Sequence, residues 1–115
     1  MSKAALFAFN GEPMCFMHVL LNAIDMHEKG CTARIILDGA STKLIPEFTR
    51  EGSPLIKLYS KAKSLQLIEG VCRACSNKMG TLEDAQKEGL RLLDELNGHP
   101  SMETYRSAGF DIITF

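Results

Sequence analysis

The sequence contains no tryptophan, and aromatic residues make up only 7% of it. Aromatic side chains are the stacking platforms of proteins that bind single-stranded nucleic acid, so this composition speaks against that role. An excess of one charge is also lacking, because 13 basic and 14 acidic residues give a formal net charge of -1. Neither nucleic acid nor an anionic membrane surface is expected as a partner, since both attract clustered positive charge.

Long hydrophobic runs are missing as well, and no stretch is apolar for long enough to cross a bilayer. The apolar N-terminal segment is interrupted at 10–13 and shows no small-residue cleavage pattern, so it is not expected to be a signal peptide. Four cysteines without an export signal are expected to be reduced thiols of a cytoplasmic protein. The 115 residues are expected to form one domain, 1–115, which buries a core without disulfides.

Neither glycine-rich phosphate-binding pattern is present, whether Gly-x-x-x-x-Gly-Lys-Ser/Thr or Gly-x-Gly-x-x-Gly. The sequence therefore predicts no nucleotide site and no other cofactor.

The sequence does contain an alternation of strand and helix patterns. Apolar runs predict strands at 3–9, 33–38, 67–71 and 110–115, and amphipathic patterns predict helices at 14–29, 43–48, 55–64 and 81–96, with a short one ending near 108. Strands separated by helices indicate an α/β fold. We expect a three-layer α/β/α architecture with a mostly parallel sheet of about five strands.

In such folds the binding site lies outside the carboxyl ends of the strands, at a topological switch point. The loops that follow the first three strands supply the candidate site residues. These are Asn10, Gly11 and Glu12 after the first strand, Asp38 and Ser41 after the second, and Cys72, Arg73 and Cys75 after the third. Turns and helix caps use several of these residue types anyway, whereas cysteine has no turn or capping preference that would explain the pair.

The Cys72-x-x-Cys75 motif admits several interpretations. A structural zinc site needs four ligands, and the remaining cysteines and histidines show no ligand-pair spacing, so no metal is expected. A thioredoxin-like dithiol would follow the first strand of its core, although a disulfide-exchange role stays open. A persulfide carrier needs one low-pKa thiolate, which a helix N-terminus and Arg73 would both favour. Two buried cysteines that act as small hydrophobes are the structural alternative.

The other cysteines are weaker candidates. Cys31 begins the second strand and is expected at the opposite end of the sheet. Cys15 lies in the first turn of the first helix and is expected to pack, while His18 and His27 are expected to be solvated or to cap.

The chain resembles the DsrE/DsrF/DsrH-like family of small α/β proteins, which includes the TusD sulfur-relay subunits and the YchN-like proteins. The resemblance extends over nearly the whole chain and includes the second strand at 35–40, the cysteine after the third strand, and the final strand at 112–115. The stretch 72–80 is similar to the sulfur-relay members, and 75–79 is similar to the YchN-like ones. The resemblance also suggests that part of 90–96 forms a short strand.

The resemblance implies the DsrE-like fold, with a flavodoxin-like topology. It also implies a homo-oligomer such as a trimer or hexamer, and sulfur donor and acceptor proteins as partners. It implies a sulfur-relay or persulfide-carrying function on Cys72 or Cys75, which would make the protein at most a sulfurtransferase-like carrier. Two alternatives stay open: a non-enzymatic oligomeric module that binds a small ligand or protein, and a dithiol redox switch.

Overall fold

A computed structural model describes residues 2–115 and confirms the expected α/β fold. Five strands alternate with helices in this part of the chain. The strands are β1 (Lys3–Ala8), β2 (Thr32–Leu37), β3 (Ile68–Cys72), β4 (Leu92–Leu93) and β5 (Asp111–Thr114). The helices are α1 (Pro13–Glu28), a 3₁₀ helix (Gly39–Phe48), α2 (Ile56–Ser64), α3 (Arg73–Lys78), α4 (Leu82–Lys87) and α5 (Met102–Ser107).

The strands form one parallel sheet in the order β4-β3-β2-β1-β5. From β1 the chain adds β2, β3 and β4 to one side, and then returns to place β5 on the other side of β1. The direction of growth therefore reverses between β1 and β5. All five carboxyl ends lie along one edge of the sheet, because every pairing is parallel.

Both faces of the sheet are buried, which explains the nearly continuous apolar strand sequences. On one face Leu6, Ile35 and Leu37 pack in the larger core, together with Phe16 of α1 and Phe48. On the other face a smaller cluster surrounds Tyr105 of α5. Fully burying one such large apolar side chain contributes roughly 1.5–3 kcal/mol, so the larger core supplies most of the stabilisation.

Two helices have bounds in the structure that differ from the predicted bounds. The prediction of a helix at 81–96 is wrong beyond Lys87, because Gly89 adopts a left-handed backbone (φ +70°) that ends α4. The short strand suggested within 90–96 is confirmed as β4. The helix expected at 43–48 begins earlier, at Gly39, where the Asp38 side chain accepts a hydrogen bond from the Gly39 amide.

The longest helix, α1, has 16 residues. Within residues 2–115, none of the helices combines the length and the apolar character that crossing a membrane requires.

Candidate functional site

Three neighbouring strands end beside one another and bring four chemically active side chains together. Asp38 directly follows β2, Cys72 ends β3, Cys75 lies in α3, and His99 follows β4. One carboxylate oxygen, two Sγ atoms and one imidazole nitrogen all lie within 4.8 Å of one another. We call Asp38, Cys72, Cys75 and His99 the four-donor cluster, and its donor atoms are of the kinds that hold a metal ion.

The imidazole of His99 is the centre of this cluster. Its Nδ1 atom lies 3.1 Å from Cys72 Sγ and 3.7 Å from Cys75 Sγ. The Cys75 thiol donates to Asp38 Oδ1 across 3.7 Å, and the Cys75 amide donates to Cys72 Sγ across 3.4 Å. Both sulfurs are free thiols that share one histidine.

Burial separates the two cysteines. Cys72 is 0% exposed and caps α3 with its own sulfur, whereas Cys75 is half-buried. Loss of solvation raises the pKa of the Cys72 thiol to about 12, and the nearby Asp38 charge adds to this increase. The Cys75 amide at the start of α3 does lower the pKa of Cys72, but burial outweighs it, so the expectation of a low-pKa thiol is wrong for Cys72. Of the two residues, Cys75 is the more exposed.

The loop after β2 holds Asp38 rigidly. The Asp38 carboxylate accepts a hydrogen bond from the Gly39 amide at 2.8 Å, which orients its oxygens. Ser41 is fully buried, and its hydroxyl lies 2.6 Å from the Ala8 carbonyl and 2.9 Å from the Asp38 carbonyl. Ser41 was a candidate pocket residue, but its hydroxyl ties two exit loops together.

A tight turn after β4 positions His99, which was not among the predicted site residues. Asn97 (φ 51°) and Gly98 (φ 89°) both have left-handed backbones, as a type I′ turn requires, and Leu96 pairs with His99 across the turn. The Gly98 carbonyl accepts from the Ala74 amide at 2.9 Å, which fastens the turn to α3. The Asn-Gly signal was visible in the sequence, but the strand before it has only two residues, so the loop was not recognised as a fourth exit loop.

A shallow groove of about 600 Å³ opens beside the cluster. Asp38 and His99, which both contact Cys75, form part of its wall. Phe9, Leu96 and Met102 also line it and are among the exposed large apolar side chains. Exposed apolar side chains therefore lie beside the cluster.

The remaining predicted site residues have other surroundings. Asn10 Oδ1 accepts from the Glu12 amide at 2.8 Å, which is a local turn, and the Glu12 side chain makes no capping bond to α1. Gly11 is buried against Lys43. The Arg73 guanidinium lies 3.6 Å from the Asp94 carboxylate on the exposed surface. Within residues 2–115, none of these side chains donates a hydrogen bond to either sulfur.

The cluster also lies away from the topological switch point. At that point, between β1 and β5, a smaller cavity of about 210 Å³ is lined by Asn10, Cys15, His18 and Phe115. Cys15 is exposed, so the expectation that it packs is wrong. The rule that sites lie outside the carboxyl ends of the strands predicted the correct edge of the sheet. The rule that they lie at the switch point did not predict the strands that build the cluster.

The fold and the cluster define a doubly wound α/β protein with a thiol, imidazole and carboxylate centre at its carboxyl edge. The chain is 34% identical over 97 residues to the uncharacterized protein MJ0733 of Methanocaldococcus jannaschii, a match that covers 84% of this chain and 77% of that protein. It therefore belongs to the same family as MJ0733.

Two uncharacterized proteins of Archaeoglobus fulgidus are also similar. One is 39% identical over 57 residues, which are 50% of this chain and 92% of the relative. The other is 40% identical over 37 residues, which are 32% of this chain and all of the relative. No protein-family model matches the chain. No solved structure matches it either.

Proposed function

We propose that this protein is a cytoplasmic, DsrE-like sulfur carrier that holds a sulfur atom as a persulfide on Cys75. The observation that carries the proposal is the difference between the two cysteines: Cys75 is half-buried and contacts Asp38 and His99 of the groove wall, while Cys72 is fully buried. A carrier thiol must be reached by a donor protein and then by an acceptor. Of the pair, the more exposed Cys75 suits that requirement better.

The chemistry is an exchange between two thiol groups. His99 Nδ1 accepts the Cys75 proton when the imidazole carries its own hydrogen on Nε2. The Cys75 thiolate attacks the outer sulfur of a donor persulfide, the donor S–S bond breaks, and the donor thiolate leaves and takes up a proton. The donor is then a thiol and Cys75 a persulfide. Attack by an acceptor thiolate on the outer sulfur reverses the exchange and restores Cys75.

Partner proteins are part of this proposal. The exposed Phe9, Leu96 and Met102 side chains offer apolar contact area beside the cluster, which suits the transient docking of a donor or acceptor protein. We propose a homo-oligomer, a trimer or hexamer, as the resemblance to the DsrE-like proteins implies.

The test is sulfur loading of the reduced, metal-free full chain by a cysteine desulfurase and cysteine. We expect a mass increase of one sulfur atom, mapped by peptide mass spectrometry to Cys75. Cys75→Ser should abolish the increase, whereas Cys72→Ser and the exposed-thiol control Cys15→Ser should retain it. No increase at all, or a sulfur atom found on Cys15 instead, would overturn the carrier role.

A dithiol redox switch is the second candidate, because both sulfurs contact the same imidazole nitrogen and so lie close together. Oxidation would join Cys72 and Cys75 in a disulfide, and the two electrons and two protons would pass to glutathione disulfide, which becomes two glutathione thiols. Titration against glutathione buffers measures the reduction potential of the pair. A potential far below that of the cytosolic glutathione pool would leave the disulfide locked and exclude a switch.

A further inference from the structure

The four-donor cluster is assembled by the fold rather than by a local motif. Its members come from the exit loops of three adjacent parallel strands, and the most distant pair, Asp38 and His99, is separated by most of the chain. Two sulfurs, one imidazole nitrogen and one carboxylate oxygen are the donor types found in tetrahedral zinc sites. Alternative occupants such as calcium and magnesium prefer oxygen ligands alone.

Three of the donor–donor distances are close to those around a tetrahedral zinc ion. Zinc bonds of about 2.3 Å to sulfur and about 2.0–2.2 Å to nitrogen or oxygen place the donor atoms roughly 3.3–3.8 Å apart. Cys75 Sγ lies 3.7 Å from both His99 Nδ1 and Asp38 Oδ1, and Cys72 Sγ lies 3.1 Å from Nδ1. The remaining donor pairs lie within 4.8 Å of each other, so an ion at the centre would require shifts of up to about 1 Å.

Hydrogen bonds around the cluster already orient its donors as they would around a metal. The Gly39 amide donates to the Asp38 carboxylate at 2.8 Å, and the Cys75 amide donates to Cys72 Sγ at 3.4 Å. Bonds of this kind fix ligand orientation and stabilise bound thiolates. The type I′ turn, fastened to α3, does the same for the His99 ring position.

We propose that Asp38, Cys72, Cys75 and His99 bind one zinc ion. The inference needs only the four donors and does not depend on the sulfur-carrier proposal. A bound zinc ion and a persulfide on Cys75 would be alternative states of the site, because zinc would occupy the same sulfur. Binding releases the two thiol protons to solvent and involves no change in oxidation state.

The test is metal titration of the reduced full chain after chelator treatment, without any sulfur donor. We expect one zinc ion per chain by elemental analysis, and a thiolate-to-cobalt charge-transfer band when cobalt(II) replaces zinc. Cys75→Ser and His99→Gln, at two half-buried positions, should each weaken zinc binding by more than about tenfold. Cys31→Ser and His18→Gln are the matched controls and should bind zinc as the unchanged chain does.

Circular dichroism of each variant shows whether it is folded, and the cobalt spectrum of the unchanged chain does not depend on any variant. Less than a tenth of an equivalent of zinc at micromolar metal, or no charge-transfer band with cobalt, would overturn the site. Full binding by both Cys75→Ser and His99→Gln would overturn it as well. Because the sulfur-loading test uses metal-free protein, either proposal can fail while the other stands.

Discussion

Two places at the carboxyl edge of the sheet bring a cysteine and a histidine to the same surface, yet they differ in nearly every physical respect. At the switch point, Cys15 and His18 are exposed side chains on α1 that line a cavity of about 210 Å³. At the ends of β2, β3 and β4, two cysteines, a histidine and an aspartate lie within 4.8 Å of one another. The presence of a cysteine and a histidine therefore does not by itself assemble such a cluster.

The difference is one of preorganisation. The side chains of Cys15 and His18 extend from a helix surface, and no hydrogen bond fixes either of them among the described residues. In the four-donor cluster the Gly39 amide, the Cys75 amide and the turn at 97–98 hold the donors in place before any ligand arrives. Sites whose donors are held in advance lose less conformational entropy on binding.

The largest expected effect that tests this comparison is the difference in alkylation rate between Cys72 and Cys15. Burial raises the pKa of Cys72 from 9.0 to about 12, which lowers its thiolate fraction near neutral pH by about a thousandfold. A thiolate of higher pKa is more nucleophilic, which offsets part of this factor, but the buried Cys72 is also shielded from reagent. In reduced, metal-free protein at pH 8, iodoacetamide should therefore modify Cys15 at least about a hundredfold faster than Cys72. Peptide mass spectrometry over a time course measures both rates.

Denatured protein is the control for that comparison, because guanidinium should bring the two rates close together. Rates within about tenfold of each other in the folded protein would contradict the burial of Cys72.

A second, smaller effect should come from the turn that positions His99. Gly98 (φ 89°) and Gly30 (φ 90°) have the same left-handed backbone, so Gly98→Ala and Gly30→Ala should each lower the free energy of unfolding by about 1–2 kcal/mol. A Cβ atom at Gly98 would also lie 3.3 Å from the Ala74 Cβ, whereas one at Gly30 meets nothing within 4 Å. Only Gly98→Ala should disturb the four-donor cluster.

Urea unfolding measures the backbone strain that each alanine introduces. The alkylation rate of Cys72 shows whether the four-donor cluster is displaced. We expect the rate at Cys72 to rise about tenfold in Gly98→Ala and to stay unchanged in Gly30→Ala. Equal protection of Cys72 in the two variants would show that the turn does not hold the cluster together.

The sequence permitted a correct prediction of most of the fold and of three members of the cluster. Apolar runs buried on both faces identify β1, β2 and β3, and parallel strands place the residues after them at one edge. Asp38, Cys72 and Cys75 were found in this way. The distances between these three side chains could not be predicted, because they depend on the order of the strands in the sheet. That order in turn depends on the short strands at the edges of the sheet.

His99 was missed for a physical reason. β4 consists of only Leu92 and Leu93, too few residues to show a periodic pattern, so the loop that follows it carried no strand signal. The spacing of Cys72 and Cys75 also could not show which sulfur is exposed, since α3 begins between them and turns one sulfur inward as its cap. Both features arise from contacts between elements that are distant in the sequence.

The smallest expected effect compares the two loops through their hydrogen bonds. Ser41→Ala removes a buried hydroxyl that bridges the Ala8 and Asp38 carbonyls, but both carbonyls keep a backbone partner, the Asp38 and Ser41 amides respectively. The cost should therefore be only about 1 kcal/mol in the free energy of unfolding. Asn10→Ala removes a single exposed bond to the Glu12 amide and should cost a few tenths of a kcal/mol at most. Urea unfolding of the two variants measures both values. If Asn10→Ala cost as much as Ser41→Ala or more, the loop at the switch point would be held as firmly as the loop that carries Asp38.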